Sequence, residues 1–298
     1  MVIKTSHLTK QFKGKGGFVD ISLSVKEGEV FSFLGKNGAG KSTFIRTLLG
    51  ILHAESGNGE ILGKPIGDIE TRKNIGYLPE LFQYHNWLSG YELLWNHGLL
   101  YKMNKKDIKN RIEEVLITVG LKGHEHKKIK EYSKGMKQRI GLGSAILPNP
   151  KILFLDEPTS ALDPIGRKDV RDIIFKLKNQ GKTIFLNTHL LSEVELVSDR
   201  VAILDQGRMK KVGTMEELLH SPVQLLVGNL NEKMIHELKK IDENIKKVDN
   251  EIELYVKDDE LIPQIAKCIV ENNGLLYSMK KKENLLEELF IQTVGEEE

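Results

Sequence analysis

The densest chemistry in the chain lies in Gly35-Lys36-Asn37-Gly38-Ala39-Gly40-Lys41-Ser42-Thr43. The glycines allow consecutive backbone N–H groups to converge on an anion. Phe44-Ile45 then opens an apolar helical run, whose N-terminus would add a partial positive charge. The spacing satisfies G-x-x-x-x-G-K-[ST], and the loop follows the apolar run Val30 to Leu34, which is the strand-then-helix context in which such a loop cradles phosphates. Lys41 is then set to reach the β- and γ-phosphates of a nucleotide, and Ser42 to hold Mg²⁺.

A second cluster stands at Ile152-Leu153-Phe154-Leu155-Asp156-Glu157-Pro158. An acid at the end of a buried strand faces the crevice where open α/β sheets bind ligands, so Asp156 can meet the Mg²⁺ held by Ser42. Glu157, one residue on, can face the γ-phosphate and polarise an attacking water; the plainer use is a turn before Pro158. His189 ends the run Leu186-Asn187-Thr188-His189 at the same edge and can donate to the γ-phosphate. His7, His53, His85, His97, His220 and His236 read as structural or solvated. His124 and His126, at i and i+2, lack the spacing of a helical metal pair, and no zinc is expected. In Tyr132-Ser133-Lys134-Gly135-Met136-Lys137-Gln138-Arg139, a Ser-x-Gly turn opens a cationic helix: Ser133 can cap it, and Gly135 lets an anion come close.

These residues need a scaffold. Val30 to Leu34, Ile152 to Leu155 and Thr183 to Leu186 are short apolar blocks without alternation, which predicts parallel strands covered on both faces. Ile21 to Val25 alternates, and Val2 to Leu8 can pair with it as an antiparallel edge layer. Lys106 to Val119 has helical apolar spacing, and a helical subdomain is expected at about 81–150. After Gly213 the order becomes strand, helix, strand, strand, helix, strand, helix, with Asp249-Asn250 as a tight turn and Glu296-Glu297-Glu298 as a solvated tail. The expectation is an α/β domain over 1–218 and an accessory α+β domain of ferredoxin-like order over 219–298.

Composition narrows the functions. Lys plus Arg total 44 against 42 Asp plus Glu, a net charge of +2 that supplies no general attraction to nucleic acid. The single Cys268 excludes an internal disulfide and a multi-cysteine zinc site. The Met-Val-Ile-Lys start lacks a signal peptide's apolar core, and no apolar run approaches the roughly 20 residues that cross a bilayer. A cytoplasmic protein is expected.

Taken in order, the Gly35–Thr43 loop, YSKGMKQR, Leu155-Asp156-Glu157, Ser160-Ala161-Leu162-Asp163 and His189 resemble the nucleotide-binding subunit of an ATP-binding cassette (ABC) transporter across residues 1 to about 215. The resemblance implies a P-loop ATPase that uses ATP and Mg²⁺ and pairs with a second such subunit, making a homodimer. Ser133 and Gly135 would then contact the γ-phosphate of ATP on the other subunit's loop, Asp163 would link the two sites, and Phe12 would stack on adenine. Plainer uses are a turn cap for Asp163 and a core position for Phe12. It further implies an integral-membrane permease as partner and a place at the inner face of the cell membrane. Two departures stand out: Tyr132-Ser133-Lys134-Gly135-Met136 replaces Leu-Ser-Gly-Gly-Gln, and Glu80 replaces a Gln that touches Mg²⁺. Both, with the C-terminal domain, resemble exporters of drugs, antibiotics, lipids or polysaccharides. Phe82, Tyr84, Trp87, Tyr91 and Trp95 suit an anchor for permease helices, with the core as the simpler place for Trp95. The alternative is a soluble ABC ATPase acting on nucleic acid or ribosomes; a P-loop kinase would leave the Ser133 turn and Glu157 unexplained.

Overall fold

A computed structural model of the protein describes residues 1–13, 16–160, 162–218, 223–241, 246–248, 251–254, 261–281 and 285–295. Two compact units divide the chain, Met1–Thr214 and Met215–Glu298.

The first unit is built on a six-stranded sheet in the order Arg208–Thr214, Arg200–Asp205, Val30–Leu34, Thr183–Thr188, Ile152–Asp156, Ile75–Leu78. All neighbours are parallel except Arg208–Thr214, which runs antiparallel to Arg200–Asp205. Every side chain of Val30–Leu34, Ile152–Asp156 and Thr183–Thr188 is buried. That explains the unbroken apolar runs: a strand covered on both faces has no position to give to water.

Two parallel strands lie outside those three runs. Ile75–Leu78 contains Gly76, where an added Cβ would lie 2.2 Å from the Ala145 carbonyl oxygen. A tight neighbour, not strand propensity, sets that residue, so the local pattern hides the strand. Arg200–Asp205 is the other, polar at both ends and buried between.

A second sheet, antiparallel throughout, has the order Gly17–Val25, Ile3–Gln11, Ser56–Ile61, Lys64–Pro65. Ile21, Leu23 and Val25 point inward while Ser22 is exposed, as alternation requires. Helix Lys41–Leu48 packs between the sheets. Phe44 from this helix meets Phe18 of the antiparallel sheet and Phe33 of the parallel one, each with ring centroids 5.0 Å apart.

Three longer helices occupy the stretch between Ile75–Leu78 and Ile152–Asp156: Gly90–Leu100, Lys105–Thr118 and Lys134–Ile146. Each has a side-chain cap, from Ser89, Asn104 and Ser133. Helix Lys105–Thr118 buries Ile108, Ile112, Val115 and Leu116, each contributing about 1.5–3 kcal/mol when fully removed from water. Phe82, Tyr84, Leu88, Tyr91 and Trp95 lean on this helical core, whereas Trp87 stays 67% exposed and stacks on His85.

The second unit holds a four-stranded antiparallel sheet in the order Lys246–Val248, Glu251–Leu254, Val223–Gly228, Leu275–Lys281. Helices Glu232–Ile241 and Ile262–Glu271 supply Met234, Leu238, Ile265 and Ile269 to a core shared with Val223, Leu225, Val227 and Ile252. A final helix spans Leu285–Gly295. Asp249, Asn250 and Glu296–Glu298, expected as turn and tail, lie outside the described residues.

The separate cores predict that a chain ending at Leu218 folds and binds nucleotide, testable by circular dichroism and an ATP titration; a folded truncation that has lost ATP binding would contradict this. Gly76→Ala should lower stability by about 1–3 kcal/mol, because a methyl driven into a backbone carbonyl forces one strand or helix to shift. Urea unfolding of the two proteins measures the difference.

Candidate functional site

The loop after Val30–Leu34 is wedged between both sheets. A Cβ on Gly35 would lie 2.4 Å from the Leu204 carbonyl oxygen, and one on Gly40, whose φ is +98°, would lie 2.2 Å from that of Gly17. Only glycine fits at these two points. Gly40 is also the N-cap of helix Lys41–Leu48, and no side chain caps that end. Its first N–H groups are therefore available to an anion.

Lys41 is buried and donates through Nζ to the carbonyls of Gly35 at 2.7 Å and Lys36 at 3.2 Å, with Glu157 Oε1 at 3.7 Å. Burial holds its pKa below the usual lysine value, opposed by the nearby charges of Glu157 and Asp156. An arriving phosphate would restore the charge that burial disfavours.

Asp156, wholly buried, closes strand Ile152–Asp156. Its Oδ1 accepts from Ser42 Oγ at 3.1 Å and from Asn187 Nδ2 at 2.6 Å. Its Oδ2 is buried with no hydrogen-bond partner, and burial raises its pKa above the usual carboxylate value. A buried oxygen of this kind, beside a serine hydroxyl, fits a hard cation such as Mg²⁺.

Glu157 leaves the strand through the left-handed region, at φ +51°, where a non-glycine residue is strained by of order 1–3 kcal/mol. Its N–H donates to the Asn187 carbonyl at 2.8 Å, which ties the turn to the neighbouring strand. The twist brings its carboxylate to His189: Oε2 lies 2.9 Å from Nδ1 and also accepts from Thr188 Oγ1 at 3.4 Å. Oε1 is buried with no hydrogen-bond partner. With one oxygen held by histidine and the other facing Lys41 without a hydrogen bond, the carboxylate can accept a proton from water.

Asn187 and Thr188 were not among the residues singled out from the sequence. The signal was present: two polar residues ending a strand whose every side chain is buried. Each holds one of the two acids.

A cavity of about 490 Å³ opens over this cluster, lined by Lys41, Ser42, Thr43, Asn37, Gly38 and Gly40 from the loop, and by Phe12, Glu80 and Glu157. Ala39 is buried behind the loop. Phe12 is 44% exposed, so it is not a core residue, and its ring can receive a flat base. A larger cavity, about 650 Å³, lies elsewhere among His53, Glu60 and Arg72 and has none of the buried acid–lysine cluster.

Ser133, Gly135 and Asp163 do not line the nucleotide-sized cavity of their own chain. Ser133 is exposed and caps helix Lys134–Ile146, accepting from Met136 N–H at 3.2 Å. A Cβ at Gly135 would meet only the Ser133 hydroxyl, at 4.0 Å. Asp163 caps helix Pro164–Asn179, accepting from Gly166 N–H at 2.7 Å. Both caps perform their local duty on exposed ground.

Comparison with known proteins gives the family. Residues 18–160 match the family model described as ABC transporter. An ABC transporter ATP-binding protein of Synechocystis sp. is 46% identical over 201 residues, which covers 67% of this chain but only 57% of that relative's length. The bacitracin transport ATP-binding protein BcrA of Bacillus licheniformis is 33% identical over 99% of this chain and 97% of its own. Among solved structures, cbiO1 of Clostridium perfringens, part of the ABC transporter complex cbiONQ, superposes with a TM-score of 0.65 at 29% identity, over 72% of this chain and 89% of that one. The chain belongs to the ABC transporter family, among its ATP-binding proteins.

Proposed function

We propose that two copies of this chain close around two ATP molecules and drive a separate membrane permease, exporting a drug, antibiotic, lipid or polysaccharide. The observation that carries the hydrolytic half is the cluster of buried Lys41 and Glu157 with half-buried His189 beside Asp156, with Asp156 Oδ2 and Glu157 Oε1 both lacking hydrogen-bond partners. Lys41 compensates phosphate charge, Ser42 and Asp156 would hold Mg²⁺, and Glu157, oriented by His189, takes the proton of the attacking water. When bound, Mg²⁺ would neutralise charge on the phosphates. Glu80, at the cavity's edge, adds a third carboxylate that bears on metal binding or on the permease signal.

The composite site is supported by the exposure of Ser133 and its place outside its own chain's cavity. A turn that serves no ligand in its own chain is free to meet one on another. Similarity to a bacitracin transport protein supports an antibiotic as cargo, and similarity to a part of the ABC transporter complex cbiONQ supports partner subunits. No helix among the described residues is long and apolar enough to cross a membrane, so attachment at the inner face would run through the permease. Residues 1–218 then form the ATP-binding domain. The strand order of the second unit supports the ferredoxin-like reading of 219–298, as an accessory domain that adjusts the dimer.

Glu157→Gln should keep ATP binding and lose turnover by roughly 10²-fold or more, since an amide cannot accept the proton. Near-normal hydrolysis by the purified variant would sink that role. Lys41→Ala should instead weaken ATP binding in a titration.

Ser133→Arg should block ATP-driven dimerisation, read by light scattering, while the monomer still binds ATP. Mixing chains carrying Ser133→Arg with chains carrying Lys41→Ala places both lesions in one composite site and leaves the other whole. ATPase activity should then rise above that of either variant alone. No rise at any mixing ratio, or loss of ATP affinity by the Ser133→Arg monomer, would count against a shared site.

A further inference from the structure

We propose that Tyr132 is a positioning residue that straps the Ser133 turn to the aromatic segment 85–92, so that the two move as one piece when two chains close; this rests on the composite-site reading of Ser133. The strap is a continuous series of contacts. Ile129 N–H donates to the Leu88 carbonyl at 2.8 Å, Tyr91 N–H to that of Glu125 at 2.8 Å, and Gly90 N–H to that of Lys127 at 3.3 Å. Lys128 Nζ lies 3.2 Å from Glu92 Oε2, and Glu92 in turn completes the cap of helix Gly90–Leu100 with Ser89. Residues 124–130 are thus held against the start of that helix immediately before the turn.

Tyr132 locks the last link. Its ring is buried, and its hydroxyl donates to the His124 carbonyl at 2.8 Å. Desolvation, aided by the charge of Glu125, pushes the phenol up to about 12, so the donor keeps its proton throughout the neutral range. The hydroxyl also sits against the backbone of Gly90, where a Cβ would come within 2.2 Å of it. Gly90 therefore answers to Tyr132, and a side chain there could not coexist with this placement. The neighbouring Ser133 takes its backbone direction from an anchored residue, and its hydroxyl is already engaged at the helix cap. An aliphatic side chain at 132 would fill the space but leave the His124 carbonyl without this donor.

The other end of the strap carries its own reporter. Trp87 stacks on His85 with ring centroids 4.3 Å apart and is largely exposed, while the only other tryptophan, Trp95, leans on the helical core. If the strap transmits motion, closing two chains on ATP at Ser133 displaces segment 85–92 relative to the elements outside the strap, and exposed Trp87 is the residue of that segment placed to read it.

The test uses the full chain with Trp95→Phe, so that Trp87 alone reports, and adds Glu157→Gln where the closed state must be held. ATP should shift Trp87 emission as the dimer forms. Tyr132→Phe, with hydrolysis measured in the Glu157 background, should at least halve that shift and lower kcat by roughly three- to tenfold while KM for ATP stays within about twofold. Gly90→Ala, which drives a methyl into the hydroxyl, should reproduce both effects. A lower melting temperature with kcat and the Trp87 shift intact would make Tyr132 merely structural and overturn the proposal, as would a parent chain that dimerises with no change at Trp87. Light scattering reads the underlying assumption separately: ATP-driven dimerisation that survives Ser133→Arg would remove the shared site, and the strap with it.

Discussion

The packing of Phe44 between two sheets is the contact on which the nucleotide cavity depends. Its ring meets Phe18 on one side and Phe33 and Phe185 on the other, with centroids 5.0 to 6.1 Å apart. Helix Lys41–Leu48 can sit at only one depth when its fourth residue is clamped this way. The loop before it must then pass close to the Gly17 and Leu204 carbonyls, which is why Gly40 and Gly35 admit no side chain. The apolar core and the phosphate cradle are parts of one constraint, and a core substitution at Phe44 would be felt at the cavity.

That constraint delivers Lys41 to a place where a free cation would be costly. Two buried acids stand beside it, and partners from strand Thr183–Thr188 hold both acids: Asn187 grips Asp156, while Thr188 and the adjacent His189 grip Glu157. The arrangement is incompletely paired, since one oxygen of each acid has no hydrogen-bond partner. A protein selected only for stability would satisfy or remove those atoms, because each buried unpaired oxygen costs about 1–3 kcal/mol. Strain at Glu157 points the same way. Polar atoms left wanting at the end of a parallel sheet are the physical mark of a site that a ligand completes.

Helix caps show how one geometry can hold two duties. Ser133 and Asp163 each satisfy an orphan N–H of their own helix, which alone would account for their residue types. Exposed Ser133 also keeps its hydroxyl proton and stands at a helix N-terminus, and such donors are what a second chain's phosphate would need.

What the sequence determined by itself was whatever has a local cause. The Gly35–Thr43 loop, the three apolar runs, the alternation of Ile21–Val25, the periodicity behind helix Lys105–Thr118 and the Ser133 cap all follow from spacing within a few residues, so each was legible without a neighbour. The tertiary structure decided the rest, because its causes lie far along the chain. Ile75–Leu78 is a strand whose glycine answers to Ala145, some seventy residues away. Asn187 became part of the site only when the sheet set it beside Asp156. Exposure puts Phe12 at the cavity edge and Trp87 at the surface, while Trp95 packs on the helical core, and no local pattern separates the three. An aromatic side chain looks the same in a sequence whether it fills a core or faces a ligand; what separates the two is which elements the chain folds over it.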